Sequence, residues 1–357
     1  MRIAGILDNL AEGTDCDLTI NTVDKHEILM HFSPKAFWEA AGKPELAVPL
    51  KRPNFVPIVS SVVLAQSMLK RATGKGPTNG INGFVVELNT AGGHNAPPRG
   101  FHYDAVAKSH AVDLNERGEP IYGAKDDVDL EKFAKATKGL PFWLAGSYAD
   151  PKKLVEVLDV GGAGIQVGTA FSLAKESGLE KNTRQEILQK LATEDFAVFT
   201  DPIASPTGFP FKVLEIDHTL SDAKEYEARP RSCSLGYLRD IYTKEDGSPG
   251  YRCASEPVAD YVKKGGLIEA TQGRKCLCNA LCANAGCPQV QKKENYVEDM
   301  LITIGDDVNS CRRYLKQDEN GDWSYSATDV IDYLLSEYEA RNSKLSTTAA
   351  EELPSIQ

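Results

Sequence analysis

The sequence has no surplus of positive charge. Its 40 lysines and arginines stand against 51 aspartates and glutamates, a net charge of -11. Nucleic acid needs a basic face, so it is excluded as the main partner. Long apolar runs are also missing. The longest uncharged apolar stretch, 54–69, is broken by Pro57 and falls short of the roughly 20 residues that a bilayer demands. Over residues 1–13 no basic segment leads into an apolar core, because Asp8 interrupts early; no secretory leader is expected. A P-loop lysine pattern is absent, which leaves nucleotide hydrolysis unsupported. Asp306-Asp307 has no calcium-loop spacing around it. Without a leader, the eight cysteines read as reduced thiols and not as a disulfide frame. The expected setting is the cytoplasm, with no membrane partner.

What is present is ordinary for a folded domain: 41% hydrophobic and 25% charged residues. A chain of 357 residues can form one large domain or two. Ile3, Ile6, Leu7 and Leu10 recur at helical spacing and predict an amphipathic helix over 3–12. Alternation over 16–33 predicts a two-stranded ribbon, and 34–53 reads mostly as loop. Residues 55–59 read as a strand, weakened by Pro57, that feeds Ser60 and Ser61 into a helix to about Arg71. Residues 83–88 form a short β-branched run, the signature of a buried strand. The prolines at 97 and 98 keep 95–100 extended, lying over the mouth of a site. Residues 101–125 are polar and irregular.

Leu130, Phe133 and Ala134 mark a helix whose first turn carries Asp126, Asp127 and Asp129. The next strand covers 141–145. Asp150-Pro151 is a helix start, with Asp as cap and Pro in the first turn; Leu154, Val157 and Leu158 supply its buried stripe. A further strand covers 163–167. Strand and helix alternating with connections this short require parallel strands and right-handed crossovers. Thr183 and Glu186 have capping-box spacing for a helix to about Leu191. Two short strands over 195–201 and 211–216 flank Ala204-Ser205-Pro206-Thr207-Gly208. From about residue 220 the chain is loop-rich and cysteine-bearing, with a last helix over 328–341 and a polar end expected to be disordered.

The chemistry gathers at strand ends. In α/β proteins ligands sit at the C-terminal ends of parallel strands. The strand at 83–88 runs through Asn89-Thr90-Ala91 into Gly92-Gly93-His94. Two glycines without Cβ atoms allow backbone to approach a ligand closely. His94 is then a proton carrier at that mouth, with a pKa near neutrality. The next two strands end in Gly146-Ser147 and Gly168-Thr169. Backbone amides plus a hydroxyl at successive strand ends, each opening a helix, form a phosphate cradle. Cys276, Cys278, Cys282 and Cys287 lie within twelve residues, but their spacing does not match zinc knuckles, and no metal is expected. Glu87, His102, His110 and Arg99 are weaker candidates. Glu87 needs a partner, either a salt bridge or cofactor hydroxyls.

Thr90-Ala91-Gly92-Gly93-His94, Leu144-Ala145-Gly146-Ser147-Tyr148 and Gly164-Ile165-Gln166-Val167-Gly168-Thr169-Ala170-Phe171 together resemble the nitronate monooxygenases, also called 2-nitropropane dioxygenases. Ala204-Ser205-Pro206-Thr207-Gly208 adds to the likeness. The resemblance is good over about 50–215 and looser on both sides. It implies an FMN-dependent parallel (β/α) barrel of TIM type. His94 would match the catalytic base on the nitroalkane carbon. Gly92, Gly93, Gly146, Ser147, Gly168 and Thr169 would match positions around the FMN phosphate and ribityl chain. The substrate implied is a nitronate or nitroalkane, oxidised with molecular oxygen.

One departure from the family is large: its first βα units have no counterpart here. The expectation is therefore the C-terminal half of a barrel, through truncation ahead of a split or rearranged protein. The matching division is a helix and ribbon over 1–50, barrel units over 51–220, an extension over 221–342 and a tail over 343–357. Half a barrel exposes strand edges, so self-association or a missing N-terminal half are the expected partners. The alternatives are a flavin-dependent enoyl-thioester reductase and an inactive remnant acting in binding or assembly.

Overall fold

Four short parallel strands, Ile58–Val59, Phe84–Glu87, Phe142–Ala145 and Gly164–Gln166, lie side by side in chain order. The computed structural model describes residues 3–100, 102–292 and 295–351, and the side chains of 342–351 are outside the description. Each strand is connected to the next through a helix: Val62–Arg71, Leu130–Ala136 and Pro151–Asp159. The caps follow the sequence chemistry. Ser61, Asp129 and Asp150 each accept a first-turn amide through their side chains. The fold is thus mixed α/β around a parallel sheet. Among the described residues the first and fourth strands have no further strand beyond them.

Packing explains the order. Val59, Phe84, Val86, Phe142 and Leu144 are buried together with Ala65, Phe133 and Val157 from the three helices. Phe133 sits edge-on between Phe84 and Phe142, at 5.8 and 5.3 Å between ring centres. Truncating such a side chain costs about 3–5 kcal/mol. Pro57 shortens the first strand to two residues, although its carbonyl still accepts the Val85 amide at 3.0 Å. A second core joins the Lys181–Leu191 helix to the far end of the chain, through Ile187, Leu188 and Leu191 against Ile302, Val308, Tyr325 and Val330.

Several elements differ from the expectation. Within the loop predicted over 34–53, Ser33 caps a helix over Pro34–Ala40 with Pro34 in its first turn. The irregular stretch over 101–125 holds a hairpin, His102–Asp104 against Ser109–Ala111. Glu180, not Thr183, caps the Lys181–Leu191 helix: its carboxylate accepts the Thr183 amide at 2.8 Å. Val198–Asp201 and Phe211–Leu214 pair antiparallel with each other and stand apart from the parallel sheet. The N-terminal helix, Ile3–Glu12, buries Ala4 and Asp8 and leaves Ile3 exposed. Asp8 is held there by the Arg52 guanidinium and by the Lys75 amide at 2.6 Å. The last helix runs over Ala327–Glu351, past the expected end at Arg341. The remainder of the tail predicted to be disordered, 352–357, lies outside the described residues. Among the described residues no helix is long and apolar enough to cross a membrane.

Candidate active site

At the C-terminal end of Phe142–Ala145 the backbone turns through Gly146, at φ +99°, and Ser147, at φ +55°. A Cβ on Gly146 would come within 2.9 Å of the Thr90 hydroxyl, so both conformation and space demand glycine. The neighbouring strand, Gly164–Gln166, runs through Val167 into Gly168 and Thr169. Among the described residues the amides of Gly146, Ser147, Gly168 and Thr169 donate to no protein acceptor. All four residues line one cavity of about 420 Å3, a volume within the range of small-molecule sites. Unpaired amides on residues that line one hollow are candidate anion ligands, because each is a donor without a bond.

The wall chemistry sharpens this picture. Glu87 and Asp307 are the charged side chains on the lining. An anion there would be held by neutral amides and not by a lysine or arginine. Two features depart from the expected cradle. Gly146-Ser147 opens no helix directly, since the next helix starts at Pro151 behind the Asp150 cap. Thr169 opens only a single turn, Thr169–Ser172, and its hydroxyl already accepts the Gly305 amide at 3.1 Å.

Of the glycine pair, Gly92 is packed against another part of the chain, while a Cβ on Gly93 would meet nothing within 4 Å. A Cβ on Gly92 would meet the Ile304 carbonyl carbon at 2.9 Å and the Gly305 nitrogen at 3.0 Å. The close approach at Gly92 is therefore to the chain's own segment 303–305, not to a ligand. Gly93, at φ +82°, donates its amide to the Thr303 hydroxyl at 2.8 Å, and its carbonyl accepts the Lys212 amide at 2.9 Å. Gly92, Gly93, Thr303, Ile304, Gly305 and Asp307 nonetheless all border the same cavity. The 303–307 segment was not anticipated. Its signal was present as an apolar β-branched run, Leu301-Ile302-Thr303-Ile304, ending in glycine like the other strand ends.

His94 borders a second cavity of about 440 Å3, together with Asn95, Ala96, Thr207 and Phe209. The extended 95–100 segment thus reaches the site through Asn95 and Ala96. The two cavities share Ile58 and Glu87. His94 packs edge-on against Phe211 at 4.9 Å between ring centres, and its Nε2 lies 2.7 Å from the Ser205 hydroxyl. The residue keeps an open side, yet its dry surroundings pull the imidazole pKa below the usual histidine value. It is therefore neutral at pH 7, the form that can accept a proton.

Glu87 at the junction is the other titrating group. Burial pushes its carboxyl up to about 7, and among the described residues it has neither ion pair nor hydrogen bond. The partner that the sequence asked for is not supplied by the protein. A carboxyl poised near neutrality between two cavities is the kind of group found at functional sites.

The remaining candidates fall away from the cavities. His110 Nδ1 lies 2.7 Å from the Gly208 carbonyl and its ring rests on Phe209. His102 lies exposed on the hairpin. Arg99 donates to the Ser60 carbonyl at 3.1 Å. Cys276 caps the helix Leu277–Asn284, Cys278 and Cys282 sit on it half-buried, and Cys287 is exposed. Among the described residues no three histidines, cysteines or carboxylates are grouped so as to hold a metal ion.

No family model matches the chain, and no curated protein sequence matches it. Among solved structures, it is similar to FabK from Thermotoga maritima at 15% identity and a TM-score of 0.40, over 87% of this chain and 66% of that one. It is also similar to nitroalkane oxidase from Streptomyces ansochromogenes at 15% identity and a TM-score of 0.39, over 87% of this chain and 62% of that one. The enoyl reductase domain of MlnA, from the macrolactin biosynthesis cluster of Bacillus amyloliquefaciens, shows 10% identity and a TM-score of 0.41, over 92% and 72%. The chain thus spans about two thirds of the length of the FabK and nitroalkane oxidase structures. Likeness at these scores carries no argument about activity.

Proposed function

We propose that the chain is a flavin-binding oxidoreductase acting on nitroalkanes or nitronates, with FMN as its cofactor. The observation that carries this reading is the set of four unpaired amides at two adjacent strand ends. They line a cavity that shares Glu87 with the one bordered by His94. The sequence motifs at these same strand ends, which resemble those of nitronate monooxygenases, give the reading its specific chemistry.

The residues present fit such a cofactor. Gly146, Ser147, Gly168 and Thr169 would hold the phosphate through backbone donors. Glu87, uncharged below about pH 7, could donate to or accept from a hydroxylated chain without placing a second negative charge beside the phosphate. The bound flavin supplies the two-electron redox chemistry. His94, in its neutral form, takes the proton from the carbon bearing the nitro group. A nitronate has already lost that proton, so its turnover does not require the imidazole.

The purified protein is expected to carry flavin absorbance, and the stripped protein to bind FMN more tightly than riboflavin. Oxygen uptake is expected with a nitronate or nitroalkane. His94→Gln should abolish uptake with the nitroalkane and spare uptake with the nitronate. Equal affinity for FMN and riboflavin would remove the phosphate cradle from the account. No flavin binding at all would remove the function.

A further inference from the structure

The hydroxyl pair behind His94 decides which of its two nitrogens is available for chemistry. His94 Nε2 lies 2.7 Å from the Ser205 Oγ, and Ser205 Oγ lies 2.7 Å from the Thr207 Oγ1. Ser205 is fully buried, so no water competes for its hydroxyl. Its oxygen also accepts the Thr207 amide at 3.2 Å. A serine hydroxyl has one hydrogen and two acceptor positions. With one position taken by that amide, one acceptance and one donation remain for His94 and Thr207.

Two orderings satisfy this count. In the first, Nε2–H donates to Ser205, and Ser205 donates to Thr207. In the second, Thr207 donates to Ser205, and Ser205 donates to a bare Nε2. The first ordering survives protonation of the ring, because an imidazolium donates from both nitrogens. The second would have to reverse along its whole length whenever His94 took a proton. A base that must accept a proton quickly is served by the first.

We propose that Ser205 is a positioning residue that commits His94 Nε2 to donation, so that Nδ1 is the atom that accepts the proton. The inference rests on the reading of His94 as a base. It goes further by assigning the atom and the residue that selects it. In this ordering Thr207 Oγ1 accepts from Ser205 and, at 3.5 Å, from the Phe209 amide. Its own hydrogen is left over, and Thr207 borders the same cavity as His94. In this ordering the residues that line the cavity thus include a proton acceptor on nitrogen, at His94, and a spare hydrogen-bond donor on oxygen, at Thr207. A ligand that suits both has an acidic C–H close to an oxygen that gains negative charge when the proton leaves. The C–H bond breaks and an N–H bond forms at Nδ1; the C–H electron pair becomes a new π bond between the carbon and the atom bearing the oxygen, and the π pair of the bond to that oxygen moves onto the oxygen.

The test is imidazole 15N NMR on the whole chain, with His94→Gln assigning the ring signals. The wild type at neutral pH is expected to hold His94 in the Nε2–H form, with a slowly exchanging N–H proton. Ser205→Ala is expected to lose the slow exchange while the other histidine signals stay in place. A wild-type ring protonated on Nδ1 overturns the proposal, as does a slow Nε2–H proton that persists in Ser205→Ala. The wild-type measurement stands even if Ser205→Ala fails to fold. These signals do not depend on turnover. Nitroalkane activity that survives in His94→Gln would sink the base assignment and leave the tautomer result intact.

Discussion

Replacing Glu87 with glutamine isolates the electrostatic load at the junction of the two cavities. Burial moves the carboxyl from 4.5 to about 7, with no opposing charge or hydrogen bond among its causes. A carboxyl whose folded pKa lies above its unfolded one binds the proton more tightly in the native state. Stability is therefore greatest below 4.5 and declines as the pH rises to about 7, after which the loss is complete. At about 1.4 kcal/mol for each tenfold change in acidity, the displacement corresponds to roughly 3 kcal/mol. The cavity admits water, and screening leaves on the order of 2 kcal/mol. Glutamine keeps the shape and cannot ionise. Urea unfolding of the ligand-free proteins should give equal stabilities at about pH 4.5 and a Glu87→Gln advantage of about 2 kcal/mol near pH 8. A difference that stays constant across that range would refute the reasoning. The shift would then belong to packing and not to charge.

Gly168→Val is expected to fold normally, because a Cβ there meets nothing within 4 Å and the backbone is not left-handed. FMN titration should show at least a roughly tenfold loss of affinity, about 1.4 kcal/mol. Unchanged affinity would place the phosphate elsewhere. Gly92→Ala drives a Cβ into the Ile304 and Gly305 backbone and should destabilise by about 1–3 kcal/mol, read as a lowered urea midpoint. Arg274 is fully buried and donates to the carbonyls of Ile203, Ser205, Ala107, Lys108 and Ala270. Arg274→Met strands those acceptors, so a loss of about 3 kcal/mol or more is expected in thermal unfolding. The 102–111 hairpin should become the first site of proteolysis.

The parallel sheet and its helices were legible because their signals are local. Asp150-Pro151 caps its own helix, and Phe84, Val86, Phe142 and Leu144 carry β-branched, aromatic or aliphatic side chains wherever a strand is buried on a helix layer. Gly146-Ser147 and Gly168-Thr169 were legible for the same reason, being short runs that end strands. What was missed depends on partners far away in sequence. Gly92 borders the cavity, and its close contact with Ile304 is a second constraint that local sequence does not show. The 303–307 segment has no regular element of its own, and its place is set by Gly93, Thr169 and Thr90, whose carbonyl accepts the Asp306 amide at 3.0 Å. Glu87 looked like a residue in search of a salt bridge. Only its position between two cavities, with no cation in reach among the described residues, turns it into a titrating group. Thr183 is not the cap because the helix begins two residues before it, at Lys181, and the Glu180 carboxylate accepts the Thr183 amide.

The first cavity draws its wall from residues 87–93, 145–169 and 303–307, and this spread has a consequence during synthesis. A chain emerging from the ribosome can pair its four strands long before residue 307 has left the exit tunnel, since domains fold as their parts appear. Until then the hollow lacks one side and offers a phosphate an open groove. On the proposed reading, the binding energy of a cofactor bears on the last docking step. Cells short of the cofactor should accumulate a species with an intact sheet and a loosely attached C-terminal third.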